Sequence, residues 1–392
     1  MKTLKEREAR MLLSGLFEPG DADLDDLVAA CGASETVHRV WSGDVPERLR
    51  PGANGTTIAF EQEPAWLAAG LVGATERCRS RVLIPGDPDW PAALEDLRGL
   101  DSDHELHLRP PRCLWVRGEG DPAQALSRSV TITGSRAATE YGQHVADDLA
   151  SDLAGEGWTV VAGGGFGIDR AAHQGSLARG GTTVAVLACG VDTPYPRAHA
   201  PLFDTITARG GLLVSEWPPG TSPMSGRFLS RSRLLAAASA GTVVVEATAR
   251  SDARSIARYA ASLGRAVMFT PGPVTSSLST GVHQIAREDW GARLVTGAQD
   301  VLNDLARTES ASAPQPRAGR DRFAALPLLQ QRLVEVLPRG YIVTADRLAA
   351  AAGMPEGAAA AALEELQASG WVEQIDGRWR LSPEHPPSPE GA

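Results

Sequence analysis

Lysine is nearly missing from this chain of 392 residues: it occurs only at Lys2 and Lys5. Positive charge is therefore carried almost wholly by arginine. Acids outnumber bases, 48 to 38, and the net charge is −10. This balance excludes a broadly basic surface for non-specific duplex binding but leaves room for a local basic groove. Cysteine is scarce as well. Cys31, Cys78, Cys113 and Cys189 are scattered and form no CxxC pair, so neither a zinc site nor a disulfide framework is indicated, and packing is their expected role. No apolar run reaches the ~18 residues that span a membrane. The opening MKTLKEREARMLLSGL has no signal-peptide core. A cytoplasmic protein without metal or cofactor is expected. A P-loop and a GxSxG elbow are also missing.

What is present separates into regions. Residues 1–75 read as short helices, Glu8–Leu16 and Asp23–Cys31, joined by the turn Glu18-Pro19-Gly20-Asp21. Residues 76–125 are mixed and rich in proline. From Ser129 apolar runs recur: 130–133, 159–162, 183–189, 212–216, 242–247, 266–270 and 293–296. Helical stretches lie between them. This alternation predicts an α/β core (76–306), a parallel Rossmann-like sheet covered on both faces. Residues 307–322, rich in Ala, Pro, Ser and Arg, read as a linker. Residues 323–382 predict three helices and a hairpin turning at Asp376-Gly377, the pattern of a winged helix. Residues 383–392 read as a disordered tail.

Two strand ends carry loop chemistry. One is Gly134-Ser135-Arg136; the other is the glycine cluster Gly163-Gly164-Gly165 followed by Phe166 and Gly167. Each can aim backbone N–H groups and a helix N-terminus at an anion. If their strands are neighbours, the two loops can share one phosphate-rich ligand. The spacing is not the GxGxxG of a dinucleotide fold, and no acid follows at the distance that grips a ribose. Tight turning alone would also explain the glycines. Asp169 and His173 lie four apart on one helix face, either an acid–base or metal pair or a cap and a packed imidazole. Between Glu216 and Thr270 stand seven arginines (227, 231, 233, 250, 254, 258, 265) against Glu216, Glu246 and Asp252. Arg227, Arg231 and Arg233 surround Phe228. Arginine interleaved with an aromatic suits a single nucleic-acid strand. A solvated helix end with Phe228 in the core fits the pattern equally well.

In these stretches, TGSR, GGGFGIDRAAHQGSLARGGTTVAVLACGVDTPYP, GLLVSEWPPGTSPMSGRFLSRSRLLAAASAGTVVVEA and PGPVTSSLSTG, the chain resembles the DNA-processing protein A (DprA/Smf) family. The resemblance covers about 130–305. It implies a Rossmann-type scaffold flanked by an N-terminal SAM-like or helix-hairpin-helix domain and a C-terminal winged helix. It implies a non-enzymatic mediator that binds and protects single-stranded DNA, helps load the RecA recombinase and works as a homodimer. By the match, Gly134, Ser135, Arg136, Gly164, Gly165 and Gly167 would contact phosphates. Phe228 would stack on a base beside Arg227, Arg231, Ser232 and Arg233, with Ser251 on the path. Three places depart from the family pattern. RNR reads Arg231-Ser232-Arg233, SG reads Ser251-Asp252, and ARGID reads Gly165-Phe166-Gly167-Ile168-Asp169. They suggest weaker or redirected DNA binding.

Two other readings stand beside this one. A nucleotide hydrolase of the lysine-decarboxylase-like type shares such a sheet, but its PGGxGTxxE motif is absent from AGTVVVEATARS. An interaction protein that has lost DNA binding is the other. The third helix of the C-terminal module, PEGAAAAALEELQASG, has glutamates and no base, so it reads as a protein-contact element rather than a DNA reader.

Overall fold

The computed structural model describes residues 3–50, 62–99, 109–288, 290–311, 326–337 and 342–382. The chain divides into two compact units, Met1–Thr308 and Glu309–Ala392.

The first unit opens with four helices, α1 (Glu6–Leu16), α2 (Ala22–Cys31), α3 (Ala33–Ser42) and α4 (Pro64–Arg77). Asp21 caps α2 by accepting from the Leu24 amide at 3.1 Å. Pro64 starts α4, where its missing N–H costs nothing. Leu12, Leu13, Leu24, Val37, Val40, Leu49 and Ala68 share one buried core. The first two helices begin two and one residues earlier than the sequence reading places them. The last two were not anticipated.

The remainder of this unit alternates: β1 (Ser80–Leu83), β2 (Leu114–Arg117), α5 (Pro122–Ser127), β3 (Ser129–Gly134), α6 (Glu140–Gly155), β4 (Thr159–Ala162), α7 (Ile168–Ala178), β5 (Thr183–Val186), α8 (Ala200–Ala208), β6 (Leu212–Ser215), α9 (Ser225–Ala237), β7 (Gly241–Val245), α10 (Asp252–Ser262), β8 (Ala266–Phe269), α11 (Thr280–Arg287), β9 (Arg293–Leu294) and α12 (Ala298–Ala311). The sheet order is β1-β2-β6-β5-β4-β3-β7-β8-β9. From β6 to β9 across the sheet every pairing is parallel. Strands β4 to β8 are buried throughout, as expected of a sheet covered on both faces. Leu234, Leu235, Ile256 and Tyr259 of α9 and α10 pack on one face. Leu149, Leu153, Ile168, Ala172, Val301 and Leu305 of α6, α7 and α12 pack on the other.

Two corrections follow. The proline-rich stretch 76–125 contributes β1 and β2, which extend the sheet in antiparallel sense beyond β6. The linker expected from Arg307 begins later, because α12 runs on to Ala311. The rest of it, and the tail at 383–392, lie outside the described residues.

The second unit holds α13 (Leu328–Val336), α14 (Ala345–Ala352), α15 (Glu356–Ala368), β10 (Val372–Ile375) and β11 (Arg378–Leu381). The hairpin turns through Asp376 and Gly377, both at positive φ, the geometry that matches strand twist. Val343 pairs with Trp379 outside the hairpin. Leu333, Leu348, Leu363, Leu366, Trp371 and Trp379 form its core.

Candidate nucleic-acid interface

Strand β3 lies between β4 and β7. The chain winds outward from β3 to β6, then returns to β7 on the other side of β3. Such a reversal opens a crevice at the carboxyl ends of the strands, where α/β sheets take ligands. The loops after β3 and β4 are therefore neighbours, as a shared ligand requires.

Those loops are locked together. The Ile168 amide donates to Ser135 O at 3.2 Å, and the Ser135 amide donates to Glu246 O at 2.8 Å. Gly167 has φ +68°, and a Cβ there would stand 2.3 Å from Ser135 O; no other residue fits both conditions. Gly134 closes β3 against Val245. The Asp169 carboxylate accepts from the Gly165 amide at 3.1 Å. His173 is fully buried, with Nε2 2.8 Å from Gly163 O and Nδ1 2.7 Å from Thr183 Oγ1. Burial pushes its pKa down. Asp169 and His173 thus shape the loop, and both are engaged by it.

One helix terminus is already occupied. Glu246, at positive φ and buried, places its carboxylate against the Thr139 amide (2.9 Å) and hydroxyl (2.6 Å) at the start of α6. A negative group of the chain sits where a dinucleotide fold would hold pyrophosphate. A separate cavity lies beside the glycine loop.

That cavity is lined by Arg136, Gly164, Gly165, Phe166, Tyr195, Phe228 and Arg231, with Cys189 in its wall. Phe228 falls inside α9. Its half-buried ring lies between two cations, 4.7 Å from the Arg136 guanidinium and 5.5 Å from that of Arg231, and 5.8 Å from the Tyr195 ring. Arg231 is 5% exposed, and its Nε has no hydrogen-bond partner. Its guanidinium presses on Gly163, where a Cβ would meet Nη1 at 2.5 Å. Burial pushes its pKa below the usual arginine range. A buried cation with an unfilled donor is costly, and an anion in the cavity would relieve it. Burial also holds the Cys189 thiol up, at about 11, so it is a neutral wall.

The other candidates go elsewhere. Arg233 and Glu216 form a bidentate pair, 2.6 Å in both bonds and almost completely buried. Arg227 binds Glu18 and the Ser222 carbonyl. The Ser232 hydroxyl donates to Phe228 O. Arg254 pairs with Glu288 and Arg265 with Asp96. The arginine cluster of the sequence is therefore dispersed in space, and Arg231 alone of Arg227, Arg231 and Arg233 lines the cavity. Ser251 caps α10 through the Ala253 amide. Beside it Asp252 reaches Arg136, Nη2 to Oδ2 3.0 Å. Sequence reasoning missed Tyr195; the signal was the aromatic in DTPYPRAH.

Fold and cavity together define a Rossmann-like protein with an arginine- and aromatic-lined cavity at the sheet's switch point. Comparison with known proteins gives the family. The profile of DNA recombination-mediator protein A matches residues 81–306. The chain is 39% identical over 373 residues to a putative DNA processing protein DprA of Mycobacterium tuberculosis, covering 94% of this chain and 92% of that one. It is 34% identical to the protein Smf of Escherichia coli over 278 residues, 68% of this chain and 71% of that one. The X-ray structure of DNA processing protein A from Streptococcus pneumoniae superimposes with a TM-score of 0.61 at 27% identity, over 77% of this chain and 99% of that one. The chain belongs to the DprA/Smf family of DNA-processing recombination mediators. Among the described residues, no helix is long and apolar enough to cross a membrane.

Proposed function

We propose that the cavity between the β3, β4 and β7 loops binds single-stranded DNA. Arg136 and Arg231 face a phosphate, Gly164 and Gly165 let the backbone approach, and Phe228 stacks on a base. The buried Arg231 with its unpartnered Nε is the observation that carries this reading. A single strand suits the cavity because its bases are free to enter and its phosphates are close enough to share two cations. The protein acts by binding rather than catalysis: Asp169 and His173, the pair from which an acid–base centre could be built, are engaged in holding the loop.

Family membership supports the wider role of protecting single-stranded DNA and helping load RecA from a homodimer in the cytoplasm. We read the second unit as a winged helix that meets a protein, since α15 carries Glu356, Glu364 and Glu365 at exposed positions and no base. The test is a comparison of Arg136→Ala with Arg347→Ala, an exposed arginine on α14. Fluorescence anisotropy should show a large loss of affinity for a labelled single strand in the first and almost none in the second. Comparable losses in both would move the site away from the switch point.

A further inference from the structure

Beside the cavity, on the far side of Phe166, lies a wider open groove between α7 and α8. It is lined by Phe166, Arg170, Gln174, His199, Leu202 and Arg209. We infer that this groove is a second nucleotide subsite. A strand leaving the Phe228 cavity crosses Phe166 and lays its next base and phosphate there. The inference rests on the single-stranded DNA reading above.

Three independent features point to a ligand. First, His199 is 5% exposed and its Nε2 has no hydrogen-bond partner. Nδ1 lies 2.9 Å from Gly164 O. Facing a carbonyl, Nδ1 carries a proton, which makes Nε2 the ring atom able to accept, and it has no donor. Nucleobases bring such donors on their ring nitrogens and exocyclic amines. Second, Phe166 is 45% exposed although it sits among glycines. Its ring meets His199 edge-on, centroids 4.6 Å apart, and it borders both the cavity and the groove. An exposed aromatic between two cavities is placed to stack on the base that passes between them. Third, Arg170 and Arg209 are exposed and make no ion pair among the described residues. Arg136, Arg227, Arg233, Arg254 and Arg265 are all paired. Two free guanidiniums on the rim, where most others are tied, complement a phosphate backbone.

The groove is continuous with the first site through both the side chain and the backbone of the glycine loop. His199 holds Gly164, which lines the cavity, and its ring also borders the groove.

The experiment is a length series. Labelled single strands of about 4 to about 16 nucleotides are used, the range of site sizes that single-strand-binding OB-folds cover. They are titrated by anisotropy into the full chain, into Phe166→Ala, and into the double variant Arg170→Ala with Arg209→Ala. The substituted side chains are exposed, so melting temperatures should match the wild type. Wild-type affinity should rise with length. The double variant should bind the shortest strand normally and lose about tenfold on the longest. Phe166→Ala, whose ring borders both sites, should lose affinity at every length and most on the longest. Arg136→Ala should lose affinity equally at every length. If the wild type binds none of the strands, the single-stranded DNA reading falls. If the wild type binds and gains with length while the double variant keeps that gain, the second subsite alone is overturned. Equal losses of the double variant at every length also overturn it, because the groove would then belong to the first site.

Discussion

Arg136 and Asp252 face each other across the switch point, Nη2 3.0 Å from Oδ2, each side chain about half exposed. Arg136 comes from the loop after β3 and Asp252 from the first turn of α10. The carboxylate therefore holds the guanidinium that would meet a phosphate. Exposed pairs of this kind contribute only about 0–1 kcal/mol, so on the proposed reading a phosphate would displace the acid at a modest cost in affinity. Asp252→Asn should raise affinity for single strands by about two- to fivefold at low salt. The gain should shrink as salt screens the charge. Anisotropy titrations at two salt concentrations check this, and unchanged or weaker binding at both would remove Arg136 from the phosphate path.

Phe228 should behave as a platform. Its ring lies among Arg136, Arg231 and Tyr195 in the cavity. Stacking a base contributes about 1–3 kcal/mol, whereas truncating a core phenylalanine costs about 3–5 kcal/mol of stability. Phe228→Ala should thus lower DNA affinity about tenfold or more while the melting temperature hardly moves. A fall of many degrees with normal affinity of the folded fraction would return the ring to the core.

The Arg233–Glu216 pair should show the opposite behaviour. Both partners are buried, and Arg233 also donates to the Arg109 and Ser230 carbonyls. Removing one member leaves a buried charge without its partner, a cost of about 3–5 kcal/mol. Glu216→Gln should lower the melting temperature by roughly 5–15 °C and leave the affinity of folded protein intact. Loss of affinity without loss of stability would mean that Arg233 reaches DNA after all.

His173 predicts a pH dependence. Burial depresses its pKa below the ordinary 6.5, with the nearby Asp169 opposing and His199 assisting. Between the two values the unfolded chain binds more protons than the folded one, so stability rises with pH. The contribution is complete above 6.5 and is lost as pH falls from there toward the folded value. Urea denaturation from about pH 5 to about pH 8 should show this rise, and His173→Gln should lose that part of the slope. An identical slope in the variant would assign the effect to other groups.

Much of this was legible in the sequence. The apolar runs of β3 to β8 and the two glycine loops follow from local pattern, because parallel strands buried on both faces read as continuous apolar stretches. β1 and β2 were not legible: Leu-Trp-Val-Arg is four residues long, and its antiparallel place beyond β6 is a tertiary fact. The fate of the arginines was hidden for the same reason. Nothing in GRFLSRSR distinguishes Arg231, turned into the cavity, from Arg233, turned onto Glu216 of another element. Phe166 was visible as a departure from the family pattern, but its place between two cavities depends on His199, more than thirty residues away.

The central claim is that the switch-point cavity takes one strand of DNA. It is tested most directly by titrating the intact protein with a labelled single strand and with its duplex, at several salt concentrations. The account predicts a clear preference for the single strand, little dependence on sequence, and a log–log salt slope of roughly −0.7 for each phosphate neutralised. Equal affinity for the two forms, or none for either, would contradict it.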